Sequence, residues 1–236
     1  MASISDNIEH VREAIACAAG RSGRSASEVM LVAITKNVDA SRITEAVSAG
    51  VQDLGENRVQ EATLKIPLVS AAAGAGSRLV WHLVGHLQRN KAKRAAELFT
   101  IVHSLDSEEL ADELNRKCEA MGRTLDVLLQ VNISGEATKS GIRPEDARAF
   151  AIGMPKYEHL RMRGIMTIAP YSADPELARP VFREARRLVQ DLSGLRLSNV
   201  SLDHISMGMS GDYAVAVEEG ATIVRVGSAI FGPRTY

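Results

Sequence analysis

The sequence predicts a (β/α)8 barrel, a single α/β TIM-type domain over residues 1–236 with an extra N-terminal helix. Three observations support this. Eight short β-rich segments recur along the 236 residues. Segments with helical spacing separate most of them, and strict β/α alternation implies a parallel sheet. No glycine-rich fingerprint follows the first strand, which argues against the alternative, a doubly wound open sheet.

The elements follow in order. "SISDNIEHVREAIACAAGR" is the additional helix ahead of the barrel. The strands are assigned to 29–35, 51–57 (the weakest), 79–85, 99–105, 125–133, 160–169, 200–208 and 222–232. Residues 39–50 form a helix capped by Asp39 and stopped by Gly50. Residues 106–122 form another, opening on acids and ending at Gly122. Residues 174–192 form a long amphipathic helix that Pro180 kinks or restarts. The small-residue stretch "AGAGS" (73–77) lacks both a preceding strand and a following GK[ST], so it is a loop and not a phosphate loop.

Hydrophobic residues make up 45% of the chain, enough for a full core, and the net charge is −1. With a pI near 6.6, no global basic field favours nucleic acid or a membrane. The cluster "QRNKAKR" (88–94) is expected to be a solvated helix face. Cys17 and Cys118 stand far apart and in no metal spacing. The N-terminus has no signal-peptide pattern and no segment spans a membrane, so the cytoplasm is the expected location. His82 and His86 have i,i+4 spacing, but on a strand and turn and without the HExxH glutamate, so no metal site is expected.

In a barrel of this kind the chemistry sits at the C-terminal ends of the strands. Lys36 ends the first, Asn57 follows the second, His82 and Gly85 close the third, and Met166 and Thr167 end the sixth. "HISMGMSGD" (204–212) and "RVGSAIFG" (225–232) place Ser206, Ser210, Gly227 and Ser228 at the last two strand ends. Loops there often cradle a phosphate through backbone N–H groups and hydroxyls. A strand-end lysine facing a phosphate cradle suits a phosphorylated aldehyde, since lysine forms imines when its amine is neutral. Pyridoxal 5′-phosphate (PLP) is the obvious candidate. Sugar-phosphate Schiff-base enzymes remain open on these grounds.

"LVAITK", "GENRVQE", "WHLVGHLQRNK", "HSLDS", "LLQVNISGEATKSGI", "GIMTIAP", "DHISMGMSGDYAVAVEEGAT" and "VRVGSAIFG" occur in this order between residues 30 and 232. In these the chain resembles the pyridoxal phosphate homeostasis protein family, whose barrel is similar to the N-terminal domain of alanine racemase. The resemblance implies that Lys36 holds PLP as a Schiff base and that Arg225 stands opposite the pyridine nitrogen. It further implies that Ser206, Ser210, Gly227 and Ser228 bind the phosphate and that Asn57, His82 and Met166 line the ring. Lys139 also matches, although a solvated loop lysine is the plainer reading. One departure concerns position 38, where many members carry a second lysine followed by proline and this chain has Val38.

The resemblance implies a carrier that buffers or delivers PLP without turnover, with apo PLP-dependent enzymes as recipients and a monomeric state. The alternative is a racemase-like enzyme, and a regulator acting through a protein partner is a third possibility. Alanine racemase adds a β-rich domain and a partner tyrosine, whereas this sequence stops at Tyr236 after the eighth unit. None of Tyr157, Tyr171, Tyr213 and Tyr236 can be given that tyrosine's role. An arginine opposite the pyridine nitrogen disfavours its protonation, which argues against transaminase chemistry.

Overall fold

The computed structural model describes residues 3–74, 76–136 and 138–232. Tyr236 and both ends of the expected 1–236 domain lie outside the described residues.

Eight parallel strands close into a barrel in chain order. They are β1 (Met30–Ile34), β2 (Asp53–Glu56), β3 (Val80–Leu83), β4 (Ile101–Leu105), β5 (Leu125–Gln130), β6 (Leu160–Met166), β7 (Val200–Ser206) and β8 (Ile223–Val226). The closing pair sets Val32 against Arg225 and Ala33 against Val226. The extra helix α1 (Ile4–Arg21) starts in a capping box in which Ser3 and Asp6 exchange side chain-to-backbone bonds. Its buried stripe Ile4, Ile8, Val11 and Ile15 follows helical spacing.

The helices after the strands are α2 (Ala40–Ser48), α3 (Val59–Ala73), α4 (Ala92–Leu98), α5 (Glu108–Ala120), α6 (Ala147–Gly153), α7 (Arg179–Leu192), α8 (Tyr213–Glu218) and α9 (Ser228–Phe231). The weakest expected strand, 51–57, is real but short. The long helix expected over 174–192 is divided. A 3-10 turn covers Pro175–Ala178 and the α-helix starts at Arg179. Pro180 thus falls in the first helical turn, where its missing N–H costs nothing. The strand expected to reach residue 232 stops at Val226, because the Gly227 backbone turns into the helical region and opens α9. Among the described residues no helix is long and apolar enough to cross a membrane.

Two apolar cores result. The larger fills the layer between strands and helices. A smaller one fills the barrel bore, with Val32, Ile34, Val84, Ile101, Leu128, Met166 and Ile223. Alternate residues of each strand face inward. Gly164 allows β6 and β7 to approach: its φ is 147°, and a Cβ there would lie 1.8 Å from the His204 carbonyl oxygen. Gly164→Ala is therefore expected to destabilise the protein by about 3 kcal/mol or more, readable as a lower urea midpoint.

Candidate cofactor site

Lys36 lies in a tight turn immediately after β1. Its neighbours on both sides are pinned. The Lys65 ammonium on α3 donates to the Thr35 carbonyl (2.7 Å), to Glu56 Oε1 (2.9 Å) and to Glu61 Oε2 (3.0 Å). The Thr35 hydroxyl donates to the same Glu56 oxygen at 2.6 Å. Beyond the lysine, Asn37 adopts φ 57°, a left-handed conformation that asparagine tolerates better than most residues. Its N–H donates to Glu61 Oε2 at 3.0 Å. The peptide units on either side of Lys36 are thus clamped to β2 and α3. Val38, where the family pattern has its second lysine, is buried, and its N–H closes the turn on the Thr35 carbonyl.

Burial pushes the Glu56 carboxyl above the ordinary 4.5, more than the Thr35 and Lys65 hydrogen bonds pull it down. Its folded-state affinity for a proton then exceeds the unfolded one. The stability this group contributes is complete below pH 4.5 and is lost as pH rises through the folded pKa. Relative to Glu56→Gln, the native protein is expected to lose stability over that rise. Urea midpoints measured on both proteins from pH 4 to 8 check the sign.

At the other side of the β1–β8 seam, the Ser210 hydroxyl accepts from the Gly227 N–H (3.1 Å) and the Ala229 N–H (3.4 Å). These amides begin α9, and such N-terminal donors suit an anion. Gly227 fits closely, since a Cβ on it would touch Ile34 at 3.4 Å. Ser228 is the first residue of α9 and is exposed. Ser210, Gly227 and Ser228 therefore come together as the sequence suggested.

Ser206 does not join them. Its side chain is fully buried in the bore and accepts from Arg225 Nη1 at 2.7 Å. The other Arg225 arm donates to the Thr167 carbonyl at 2.9 Å. Burial lowers the Arg225 pKa to about 10, with Asp212 acting the other way, so the guanidinium remains charged at neutral pH. Ser206 consequently belongs with Arg225 and not in the phosphate cradle, because period two along β7 points it inward.

His82 lies within the bore. Both its nitrogens are engaged inside the bore, Nδ1 with His103 Nε2 (2.9 Å) and Nε2 with Asp53 Oδ1 (3.1 Å). His103 Nδ1 in turn meets the Ser206 hydroxyl at 3.0 Å. Met166 lies fully buried in the bore, beside Ser206 in the β6–β7 register. Asn57 follows β2, and its Oδ1 is buried without a hydrogen-bond partner among the described residues. Gly85 packs on the Asn57 backbone so closely that a Cβ would lie 2.3 Å from its carbonyl oxygen. Lys139 is not a solvated lysine. It pairs with Glu136 at 3.1 Å and reaches the Ile168 carbonyl, just beyond β6, at 3.4 Å. Among the described residues no group of three or more His, Cys, Asp or Glu is arranged to hold a metal ion.

The sequence reading did not single out Asp53, Thr35, Glu56, Lys65 or His103. For His103 the signal was available: period two from Ile101, which lies in the bore, turns it inward, where a polar residue stands out. Lys65 shows no such signal, since two of its three partners, Thr35 and Glu56, lie on other elements.

Eight parallel strands closed in chain order, with a lysine just past the end of the first and a buried arginine in the last, define a class of barrel. It is that of the alanine racemase N-terminal domain, whose family profile matches residues 3–235. The pyridoxal phosphate homeostasis protein of Pseudomonas aeruginosa is 42% identical over 100% of this chain and 98% of its own length. The solved structure of PipY from Synechococcus elongatus, with PLP bound, is 35% identical with a TM-score of 0.82, covering 98% of this chain and 100% of that one. The chain belongs to the pyridoxal phosphate homeostasis protein family. An alanine racemase of Clostridium difficile shares the fold at 15% identity and a TM-score of 0.68, over 89% of this chain and 56% of that enzyme.

Proposed function

We propose that this protein binds PLP at the C-terminal mouth of the barrel and serves as a carrier that buffers or delivers it. The observation carrying this reading is the convergence across one seam: Lys36 leaves β1, and the Ser210–Gly227–Ala229 cradle and Arg225 belong to or flank β8. The residues present fit the cofactor. Asn57 offers a buried acceptor without a partner among the described residues, which such a ligand would satisfy. The bound relative supports the same occupant.

When bound, PLP supplies an aldehyde that condenses with an amine. The chain's own groups divide the remaining work. Lys36 provides the amine and holds the ligand covalently. The Gly227 and Ala229 N–H groups hold the Ser210 oxygen, which leaves the Ser210 O–H to donate to the phosphate beside the Ser228 hydroxyl. Arg225 presents a permanent cation to the pyridine nitrogen. A cation there disfavours protonating that nitrogen and leaves the ring a poor electron sink. That weighs against transaminase-type chemistry, while the choice between carrier and racemase rests on the paired test below.

Ser210→Ala is expected to weaken PLP binding by about ten- to hundredfold, the loss of one hydrogen bond to a charged group. Pyridoxal without phosphate should bind both proteins alike. Equal weakening of the two ligands would remove Ser210 from the phosphate site. For the carrier reading the test is paired. Holo protein is incubated with amino acids in deuterium oxide to follow Cα exchange and chirality, and separately mixed with an apo PLP enzyme to follow its activation. No racemisation is expected, with activation faster than release into free solution. Rapid Lys36-dependent racemisation would establish the enzymatic alternative.

A further inference from the structure

The bore contains one continuous polar column: Asp53, His82, His103, Ser206, Arg225. It starts at the first residue of β2, where the Asp53 side chain is 22% exposed at the barrel floor. It ends at the guanidinium next to the candidate cofactor site. His82, His103 and Ser206 are fully buried, so each polar atom must find its partner within the column.

With both imidazoles neutral, the ends fix the direction of every bond. Arginine can only donate and an ionised aspartate can only accept, while a neutral imidazole has one donor and one acceptor. Arg225 donates to the Ser206 oxygen, so the hydroxyl proton is free to go to His103 Nδ1. His103 then carries its proton on Nε2 and donates to His82 Nδ1. His82 likewise carries its proton on Nε2 and donates to Asp53. With both imidazoles neutral, no bond in the column is left without a proton and none has two. Burial, followed by the nearby His82, Arg225 and His204, keeps His103 well below the ordinary histidine value and so uncharged.

We propose that His103, backed by His82 and Asp53, is a positioning residue for Arg225. The carboxylate at the barrel floor sets both tautomers, and these turn the Ser206 hydroxyl so that its lone pair faces the guanidinium. Arg225 is thereby held in one orientation by Ser206 and the Thr167 carbonyl. The inference rests on the mouth being the PLP site, with Arg225 opposite the pyridine nitrogen. It adds that the cofactor's electronic environment is governed from the opposite end of the barrel, through groups that do not touch it.

The experiment has two readouts. In the protein without PLP, long-range 15N–1H NMR of the imidazoles, assigned with His82→Phe and His103→Phe, should show both residues as Nε2–H tautomers. Asp53→Leu removes the terminal acceptor and should disturb both tautomers, whereas Asp53→Asn keeps a carbonyl acceptor and should preserve them. In the loaded protein, Asp53→Leu should shift the PLP absorbance band or weaken PLP binding by on the order of tenfold, with Asp53→Asn close to native. An Nδ1–H tautomer or an imidazolium at His103 in the native protein overturns the proposal. So does an Asp53→Leu protein that is folded and has an unchanged PLP band and affinity. Should the native protein not bind PLP, the cofactor reading fails while the tautomer result still decides the polarity of the column.

Discussion

Lys36→Ala is expected to abolish covalent retention of PLP. Borohydride reduction of the native holo protein should add one cofactor mass, and peptide mapping should place it on Lys36. The variant should retain none, and its visible absorbance band should vanish. The fold should survive, because the peptide units on either side of Lys36 are held by Lys65 and Glu61. Lys65 and Lys139 are the informative controls. Lys65 already serves three oxygens, and Lys139 is tied to its own loop and to Ile168. Trapping on either of them, with Lys36 unmodified, would move the site.

Lys65→Met should give the largest loss of stability among the substitutions considered. Glu56 is fully buried and the Lys65 side chain nearly so. Removing one member of a buried ion pair leaves the other uncompensated and costs about 3–5 kcal/mol. For a domain of this size each kcal/mol corresponds to roughly 2–4 °C in Tm. The effect should also reach function, because the Thr35 carbonyl loses its donor and the turn carrying Lys36 loosens. The double variant Lys65→Met, Glu56→Gln should recover much of the stability, since no buried charge is then stranded. Equal instability of the single and double variants would show that the ion pair is not what holds this corner.

The barrel was legible because its signals are local. Alternating segments, and flanking residues such as Asp39 before α2 and Gly50 after it, need no knowledge of distant residues. The strand-end position of Lys36 was legible for the same reason, as a charge ending an apolar strand. The cradle was partly legible: the small-residue loops announced it, but Ser206 and Ser210 look equivalent in the sequence. Inward against loop-facing position on β7 separates them, and that depends on register. Met166 and His82 stood out as residue types near strand ends, yet their height in the bore depends on neighbouring strands. The clamp was hidden because Thr35, Glu56 and Lys65 lie on three elements whose packing no short pattern encodes. Helices α3 and α6 were not assigned, α4 was foreseen only as the helix face of 88–94, and Pro67 inside α3 works against recognising that helix, since an interior proline is usually a stop.

The proposed site is assembled from opposite ends of the chain. Lys36 follows the first strand, and the cradle lies between the seventh strand and α9, on the far side of the closing β1–β8 seam. The N-terminal helix adds to this closure, with Asn7 donating to the Ile230 carbonyl of α9 at 2.9 Å. A ligand bonded to Lys36 and seated under α9 would act as a clasp on a ring. Unfolding that begins by unzipping this seam would have to release the ligand first, so loading should slow opening as well as shift the equilibrium. The nascent chain, for its part, has no complete site until its last strand has closed against its first. Partly made protein would then hold no cofactor, and protease resistance would report loading as directly as absorbance does.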